Sequence, residues 1–595
     1  MILCSGSQSM GTIWSQKAFE RPIKDILDAD SYNFKWPIRK VAIIGAGPSG
    51  MISYREFTQA GFEVQVFERD SVPGGNWHYT DETPVDAPIP NADAVVGDYV
   101  PSLPPDGVEL PYSEEYLDDG SDNISYFDRR REHRGPKPIW KSLTSNVPSP
   151  YQQISELPWP AGTEWELMHY KMRNYLRSFA SFHGINSNDD NFNISYHTRV
   201  EHVEKHVAND GQERGWILTL KKFVKTGPNS SKATWWAERF DAVVVATGRF
   251  NAPHVPPIPG LSEWAKRFPG QISHSRQYRR PEQYLNETIL IVGAASSGGE
   301  ISRDLNPVAK KIYQSIRPDN SAVPQSQLRN LLLRRLPRNT TVVPEIKRFH
   351  TIVYPSESLS KGRIELVNGT IITGIDRIFF ATGFRYSFPF LPRYHNSSIA
   401  ANETATGGAL QPLVTDGTHI RSLHLDLFYI EEPTIAFINM NIGMQSETYA
   451  EYLSLALAKV WDNKAKLPST DEMWRLHRAR VDEYGGYGRR FQYLGAQGTD
   501  ANVRYFMGWL NDAAVKYGGR QINGLPRGNE EILKFWAIAR FSSDMFLEGK
   551  GLQNGSFDSI DDYFRTNNGN YPIGSDVSDE KRRELIFDSI FHDFW

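Results

Sequence analysis

A chain of 595 residues exceeds what one hydrophobic core can organise, so two or more domains are expected from length alone. Its 66 Lys and Arg against 70 Asp and Glu give a net charge of −4, without the clustered positive excess that polyanion binding needs, and nucleic acid is excluded as a partner on that ground. No window reaches the roughly 18 consecutive apolar residues of a spanning helix. The single cysteine, Cys4, excludes internal disulfides, a CxxC redox pair and thiolate metal clusters.

Residues 1–38 carry charges and Trp14 but no continuous apolar stretch of the signal-peptide kind, and read as an extension of a soluble, cytoplasmic protein. Lys40 to Ile44 is a short apolar strand that runs into Gly45-Ala46-Gly47-Pro48-Ser49-Gly50, a helix to about Ala60 and a second strand, Glu63 to Phe67, ending on Glu68. This order of strand, glycine-rich turn, helix and strand is a dinucleotide-binding unit. Gly45 suits the tight turn, Gly47 the close approach of backbone to a pyrophosphate, and Gly50 the packing of helix on strand. Ser49 lies at the helix N-terminus that faces the phosphates, and Glu68 can accept from a ribose hydroxyl.

From Thr80 to about Lys137 the chain is rich in Pro, Asp, Glu and Gly, with a basic run at Arg129-Arg130-Arg131, and reads as a surface insertion without chemistry of its own. A second unit begins at Thr288 to Val292, turns at Gly293-Ala294-Ala295-Ser296-Ser297-Gly298, continues as a helix through Leu305, and reaches a strand from Lys311 to Ile316 that ends on Arg317. Two units imply two nucleotides. An acid closing the second strand suits a free ribose and an arginine there suits a 2′-phosphate, so FAD is expected at the first site and NADPH at the second; a solvated surface role is the alternative for Arg317. Beyond about Leu467 the sequence is helical and aromatic, as at Glu530 to Phe546, and reads as a packing or oligomerisation extension.

The fold expected is α/β with two Rossmann-like domains. An FAD-binding domain (39–253, with the insertion at about 80–137) resumes at 376–466, an NADPH-binding domain (254–375) is inserted in it, and a helical extension (467–595) follows.

One glycine-rich turn is weak evidence, but several motifs in order are not. Glu68-Arg69 followed by Gly74-Gly75-Asn76-Trp77, then Ala246-Thr247-Gly248, then the string from Phe268 to Tyr278 with Gly270 and His274, resembles the flavin-containing monooxygenase family and its FxGxxxHxxxY/F fingerprint. Ala381-Thr382-Gly383-Phe384 fits as well, and the resemblance spans roughly Lys40 to Trp461. It implies that Gly75, Trp77, Arg69 and Thr247 help to hold FAD and that Val200 passes its adenine. Gln445 would reach the flavin ring, and Asn146, in a segment similar to the family's LxTNxP, would sit over flavin and nicotinamide as the catalytic choice. Turn capping before Pro148 is the plainer role for Asn146. Ala295, where a glycine is usual, departs from the pattern and implies weaker or shifted NADPH binding, with Ser296 and Ser297 still able to donate to phosphate.

The resemblance further implies that NADPH reduces FAD, that O2 adds at the flavin C4a carbon to give a hydroperoxide, and that a soft nucleophile of a small molecule, amine nitrogen or sulfide sulfur, takes the distal oxygen. A Baeyer–Villiger oxygenase acting on a ketone is the near rival, although its fingerprint has Trp with Pro or Asp where this chain has Tyr278-Arg279. A flavoprotein without turnover is the other. No metal and no membrane are expected, and a homo-oligomer stays open.

Overall fold

The computed structural model describes residues 31–522 apart from 92, 120–122, 318–335, 338, 353–357, 406–409 and 445. The readings placed on Cys4, Gln445 and Glu530 to Phe546 lie outside the described residues.

Strand β1 (Lys40–Ile44), helix α1 (Pro48–Gln59) and strand β2 (Glu63–Phe67) form the first unit. The insertion contributes β3 (Tyr112–Leu117) and α2 (Tyr126–Arg134), and α3 (His169–Phe182) leads to β4 (Ile194–Ser195). A meander follows: β5 (Thr198–Val207), β6 (Glu213–Gly227) and β7 (Ser230–Phe240), then β8 (Ala242–Val245) and β9 (Ala252–Pro253). The second unit runs through α4 (Leu261–Arg267), β10 (Ile272–His274), β11 (Thr288–Val292), α5 (Ser296–Leu305), β12 (Lys311–Ser315) and β13 (Thr341–Val343). The small strands β14 (Ile346–Phe349), β15 (Ile364–Leu366) and β16 (Ile371–Ile372) precede β17 (Arg377–Phe380) and β18 (Phe384–Arg385). Last come β19 (Leu423–His424), β20 (Phe428–Tyr429), β21 (Ile435–Phe437) and helices α6 (Ser446–Trp461), α7 (Thr470–Glu483) and α8 (Gly495–Tyr517).

The first sheet has the order β19-β20-β21-β8-β1-β2-β4, with β1 parallel to both β2 and β8. Because both faces of β1 are covered, its side chains form a continuous apolar run rather than an alternation. The second sheet, β10-β17-β11-β12-β13, is wholly parallel, and its strands lie in the chain between β8 and β19. The fold is therefore α/β with two Rossmann-like sheets, the second interrupting the first. Helix α6 returns to pack on α1, where Phe57 stacks on Trp461 at 5.4 Å and Ser53 meets Ser454 at 3.0 Å, so residues near the C-terminal end of the first sheet close its core.

The insertion differs from its sequence reading. Strand β3 pairs antiparallel with β7 and extends the meander, and its Tyr-Ser-Glu-Glu-Tyr-Leu alternates half-buried and exposed positions. His133, Arg134 and Lys137 at its end are buried. The acidic, proline-rich composition concealed a strand whose partner lies over a hundred residues away. On the N-terminal side, Trp36 is buried and its indole N–H donates to the Asp241 carbonyl at 2.9 Å, so residues 31–38 belong to the packed body.

Candidate functional site

Both glycine turns lie at the carboxyl ends of central strands, where open α/β sheets bind ligands. Gly45 (φ +104°) and Gly293 (φ +100°) start them in the left-handed region, and a Cβ on either would strike a carbonyl of the neighbouring loop, Ala246 O at 2.8 Å or Ala381 O at 2.6 Å. A Cβ on Gly50 would come within 1.9 Å of Gly45 O, and one on Gly298 within 2.2 Å of Gly293 O, so each helix packs hard on its own turn. Gly47 is the N-cap of α1 and makes no side-chain cap, and a Cβ there would meet only the Gly75 Cα, at 3.7 Å. The backbone at Gly47 is thus open to a phosphate.

Ser49, in the first turn of α1, has its hydroxyl held by the Asn439 side-chain amide, which donates at 2.8 Å and also donates to the Ser446 carbonyl at 2.6 Å. Asn439 Oδ1 is buried and accepts no hydrogen bond among the described residues, an orphaned acceptor that fits a hydroxyl of the FAD ribityl chain. Glu68 is buried; one carboxylate oxygen accepts from the Ala46 N–H and the other from the Asp70 N–H, each at 2.8 Å, and each keeps acceptor capacity for a ribose hydroxyl.

The remaining sequence-named residues of the first site divide into two groups. Thr247 follows β8, its Cα lies beside the turn, and its carbonyl accepts from Asn251 Nδ2 at 3.0 Å. Val200 is buried at a bulge of β5 whose strand start is tied to Glu68 by the Thr198 N–H, which donates to Glu68 O at 2.9 Å; the Val200 carbonyl accepts from the Tyr99 hydroxyl. Gly75 and Trp77 form a single helical turn against α1 and the core. Arg69 is turned away to structural work: its guanidinium donates to Asp98 at 2.9 Å and to Asn251 at 3.3 Å.

The insertion braces this site. Lys137 Nζ lies 3.8 Å from Glu68, and Arg134 donates to Asp70 at 2.7 Å and to Glu82 at 2.7 Å. Burial would raise the Asp70 carboxyl, but His78, Lys137 and Arg134 outweigh it and hold the group well below the usual carboxylate range.

At the second turn Ala295 precedes α5 in extended conformation, and α5 has no side-chain cap. Ser296 and Ser297 are half-buried at its N-terminus, and neither hydroxyl makes a hydrogen bond among the described residues. The uncapped N-terminus and free hydroxyls fit a pyrophosphate. Arg317 is exposed, and its Nε donates to Glu345 at 3.1 Å.

The two sites meet at a seam. Strands β9 and β18 cross antiparallel between the sheets, and the Gly383 carbonyl after β17 accepts from the His254 N–H at 2.8 Å and from His274 Nε2–H at 2.9 Å. His274 Nδ1 accepts from the Arg276 N–H, and burial, with the Arg276 charge adding, pushes the imidazole down to about 3. It is a neutral clamp rather than a base. Tyr278, at the end of the same fingerprint, donates to Asp304 at 2.5 Å. Arg279 donates to the carbonyls of Glu82, Ile139, Arg276 and Tyr278.

Asn146 is exposed on a loop held at both ends. The Ser145 N–H donates to Leu167 O at 2.7 Å and the Lys141 N–H to Arg279 O at 2.8 Å, so the loop is anchored to both units. Sequence reasoning missed Asn439, Arg134 and Lys137. For Asn439 a signal existed, since Asn439-Met440-Asn441 places two amides at the end of an apolar strand.

Residues 119–326 match the model of the flavin-binding monooxygenase-like family, and residues 43–100 that of an NAD(P)-binding Rossmann-like domain. The chain is 55% identical over 502 residues to the flavin-containing monooxygenase iboF of Amanita muscaria, covering 83% of this chain and 92% of that protein. It is 30% identical over 490 residues to the flavin-containing monooxygenase ustF2 of Aspergillus flavus, with 79% and 92% covered. Among solved structures, S-allyl-L-cysteine S-oxygenase from Allium sativum aligns with a TM-score of 0.55 over 93% of this chain and 98% of that one; at 20% identity this speaks for the fold. The chain belongs to the flavin-containing monooxygenase family, enzymes that use FAD and NADPH with O2.

Proposed function

We propose that this monooxygenase oxygenates a soft nucleophile, an amine nitrogen or a sulfide sulfur, of a small molecule. FAD is held by Gly45, Gly47, Ser49, Gly50, Glu68, Gly75, Trp77, Val200 and Thr247, and NADPH by Gly293, Ser296, Ser297, Gly298 and Arg317. The observation that carries this reading is the seam itself: the loops beyond β8 and β17 are tied together through His254, His274 and Gly383, which supports two cofactors, one on each turn, that would meet there.

Bound FAD supplies the hydride acceptor and the oxygen-activating centre. The chain's own residues bind, orient and exclude water. Glu68 and the α1 N-terminus fix the adenosine and phosphates, and Asn439 with Ser49 fixes what lies beyond them. Asn146 would supply an exposed amide that can accept from one cofactor and donate to the other, and its anchored loop lowers the entropy cost of placing it. Tyr278 and Arg279, where a ketone-oxidising enzyme generally has Trp with Pro or Asp, are built into the body of the protein and support the soft-nucleophile reading.

The test is to reduce the holoenzyme anaerobically with NADPH or NADH, then admit O2 with and without a panel of amines, sulfides and ketones, following H2O2 and product mass. Faster reduction by NADPH and a gain of one oxygen on amines or sulfides are expected, and Asn146→Ser should divert turnover to H2O2. Oxygen insertion into ketones alone would overturn the reading.

A further inference from the structure

We propose that Glu451 is a positioning residue of the oxygenation reaction: from helix α6 it fixes the loop that carries Asn146 against helix α1, the helix whose N-terminus faces the FAD phosphates. This rests on the role given to Asn146 above and adds the residue that sets its place.

Asn146 lies on the loop between Lys141 and α3. Two bonds beside it, from the Ser145 N–H to Leu167 O at 2.7 Å and from the Ser149 N–H to Trp165 O at 3.0 Å, join parts of the same excursion, so they fix its shape rather than its place on the first unit. That place is set at Ser155. Both of its donors end on one carboxylate: the Ser155 hydroxyl donates to Glu451 Oε1 at 2.7 Å and the Ser155 N–H to Glu451 Oε2 at 3.1 Å. Bonds to both oxygens of a planar group fix direction as well as distance. The adjoining turn is stiff, because the Ile154 N–H donates to the Tyr175 hydroxyl at 2.6 Å and that hydroxyl donates to Leu157 O at 2.7 Å.

Glu451 is itself held. It is 5% exposed, and its Oε1 also accepts from Arg55 Nη2 at 3.0 Å. Arg55, in the second half of α1 and buried, donates further to Glu56 at 2.7 Å and to Glu156 at 2.9 Å. Glu156 follows Ser155, so one arginine of α1 grips the segment both directly and through Glu451. Burial would lower the Arg55 guanidinium, but Glu56, Glu451 and Glu156 outweigh it and raise it, and the cation stays charged.

Buried ion pairs stabilise a fold little more than apolar packing of the same volume would, and what they add is direction. Here the direction runs from α1 and α6 to the loop of Asn146. Placement matters at that end, since a group displaced by about 1 Å costs on the order of 100-fold in rate. Neutralising Glu451 leaves Arg55 its two other carboxylates, so the change disturbs aim more than charge balance.

The experiment compares Glu451→Gln, Ser155→Ala, Asn146→Ser and the double variant Glu451→Gln/Asn146→Ser as FAD-loaded holoenzymes. It follows H2O2 release with NADPH and O2 alone, without a substrate, and hydrogen exchange of the backbone amides from 149 to 157. Glutamine offers one acceptor oxygen where the carboxylate offers two, so Glu451→Gln should release H2O2 about tenfold faster than the wild type, with half-maximal NADPH within about twofold. Exchange at Ser155 should quicken with it. Ser155→Ala, at an exposed residue and stranding no charge, should move both readouts the same way by less. In the double variant Glu451→Gln should add nothing to the release seen in Asn146→Ser, because both act through one amide, whereas a merely structural effect would add. Where Asn146→Ser is fast, wild-type release in Glu451→Gln and Ser155→Ala, or full additivity in the double variant, would overturn the proposal. Fast release in Glu451→Gln and Ser155→Ala with Asn146→Ser at the wild-type level would instead sink the role of Asn146 and leave Glu451 as the residue that sets the loop.

Discussion

Gly75 stands against Gly47: the Gly74 N–H donates to the Ala46 carbonyl at 2.9 Å, and a Cβ on Gly75 would lie 3.0 Å from the Gly47 Cα. The Gly74-Gly75 turn is thereby pressed onto the one stretch of backbone that a pyrophosphate must approach. Gly75 also has φ +56°, where a side chain costs about 1–2 kcal/mol. Gly75→Ala should therefore loosen FAD by roughly tenfold. Flavin retained after gel filtration checks this, and unchanged retention would show that the contact does not shape the site.

Arg134 of the insertion is the counter-charge to Asp70, which is 1% exposed and lies two residues past Glu68. Removing one partner of a buried pair strands the other, at a cost of about 3–5 kcal/mol. Arg134→Ala should lower the urea midpoint accordingly and release FAD, and Arg134→Lys should recover part of both. A stability unchanged by Arg134→Ala would return the insertion to a surface role.

These two sites show what the sequence could tell and why the rest was hidden. Gly45 to Glu68 and Gly293 to Arg317 were legible because a strand, a turn and a helix that follow one another fold locally, and each turn writes its backbone needs as glycine. The pairing of Asn439 with Ser49 was not, because the two lie 390 residues apart and a single contact has no periodicity, even though two amides at the end of an apolar strand mark the position. The insertion was misjudged for the same reason. Its Arg134 and Lys137 gain meaning only once β2 brings Glu68 and Asp70 beside them, and acidic, proline-rich composition is shared by mobile loops and by strands with distant partners. The family pattern marks the Arg69 position but not Asp98, whose carboxylate pairs with it from 29 residues on.

Arg317 is exposed at the end of β12 and pairs with Glu345 at 3.1 Å, a surface contact that contributes little to stability and that a phosphate can replace. Arg317→Gln should raise the NADPH concentration for half-maximal anaerobic reduction by about tenfold or more, consistent with loss of one charge-assisted bond, and leave NADH unaffected. Ala295→Gly should act in the opposite direction by opening the turn. Equal losses with NADPH and NADH in Arg317→Gln would mean that the residue acts on the fold rather than on the 2′-phosphate.

Buried histidines, His133 among them, resist protonation and shape the response to acid. Burial pushes His274 and His477 down to about 3 and His419 and His424 to about 4. His477 shows the cause: its Nδ1–H donates to Leu423 O at 3.0 Å and its Nε2 accepts from the Tyr487 hydroxyl at 2.8 Å, so a second ring proton has no acceptor, and Arg480 adds like charge. Above about pH 6.5 the imidazoles are neutral in both folded and unfolded chains, and the stability they protect is fully present. Between about pH 6.5 and 3 the unfolded chain takes up protons that the native one refuses, so each group removes up to about 1.4 kcal/mol per pH unit as the pH falls. Urea midpoints should accordingly be flat from pH 7 to 8 and drop steeply from pH 6.5 to 4.5, and His477→Asn, less stable at neutral pH, should show a shallower acid slope. An acid slope identical to the wild type's would mean that His477 is already protonated in the native protein, and that Tyr487 then accepts from it instead.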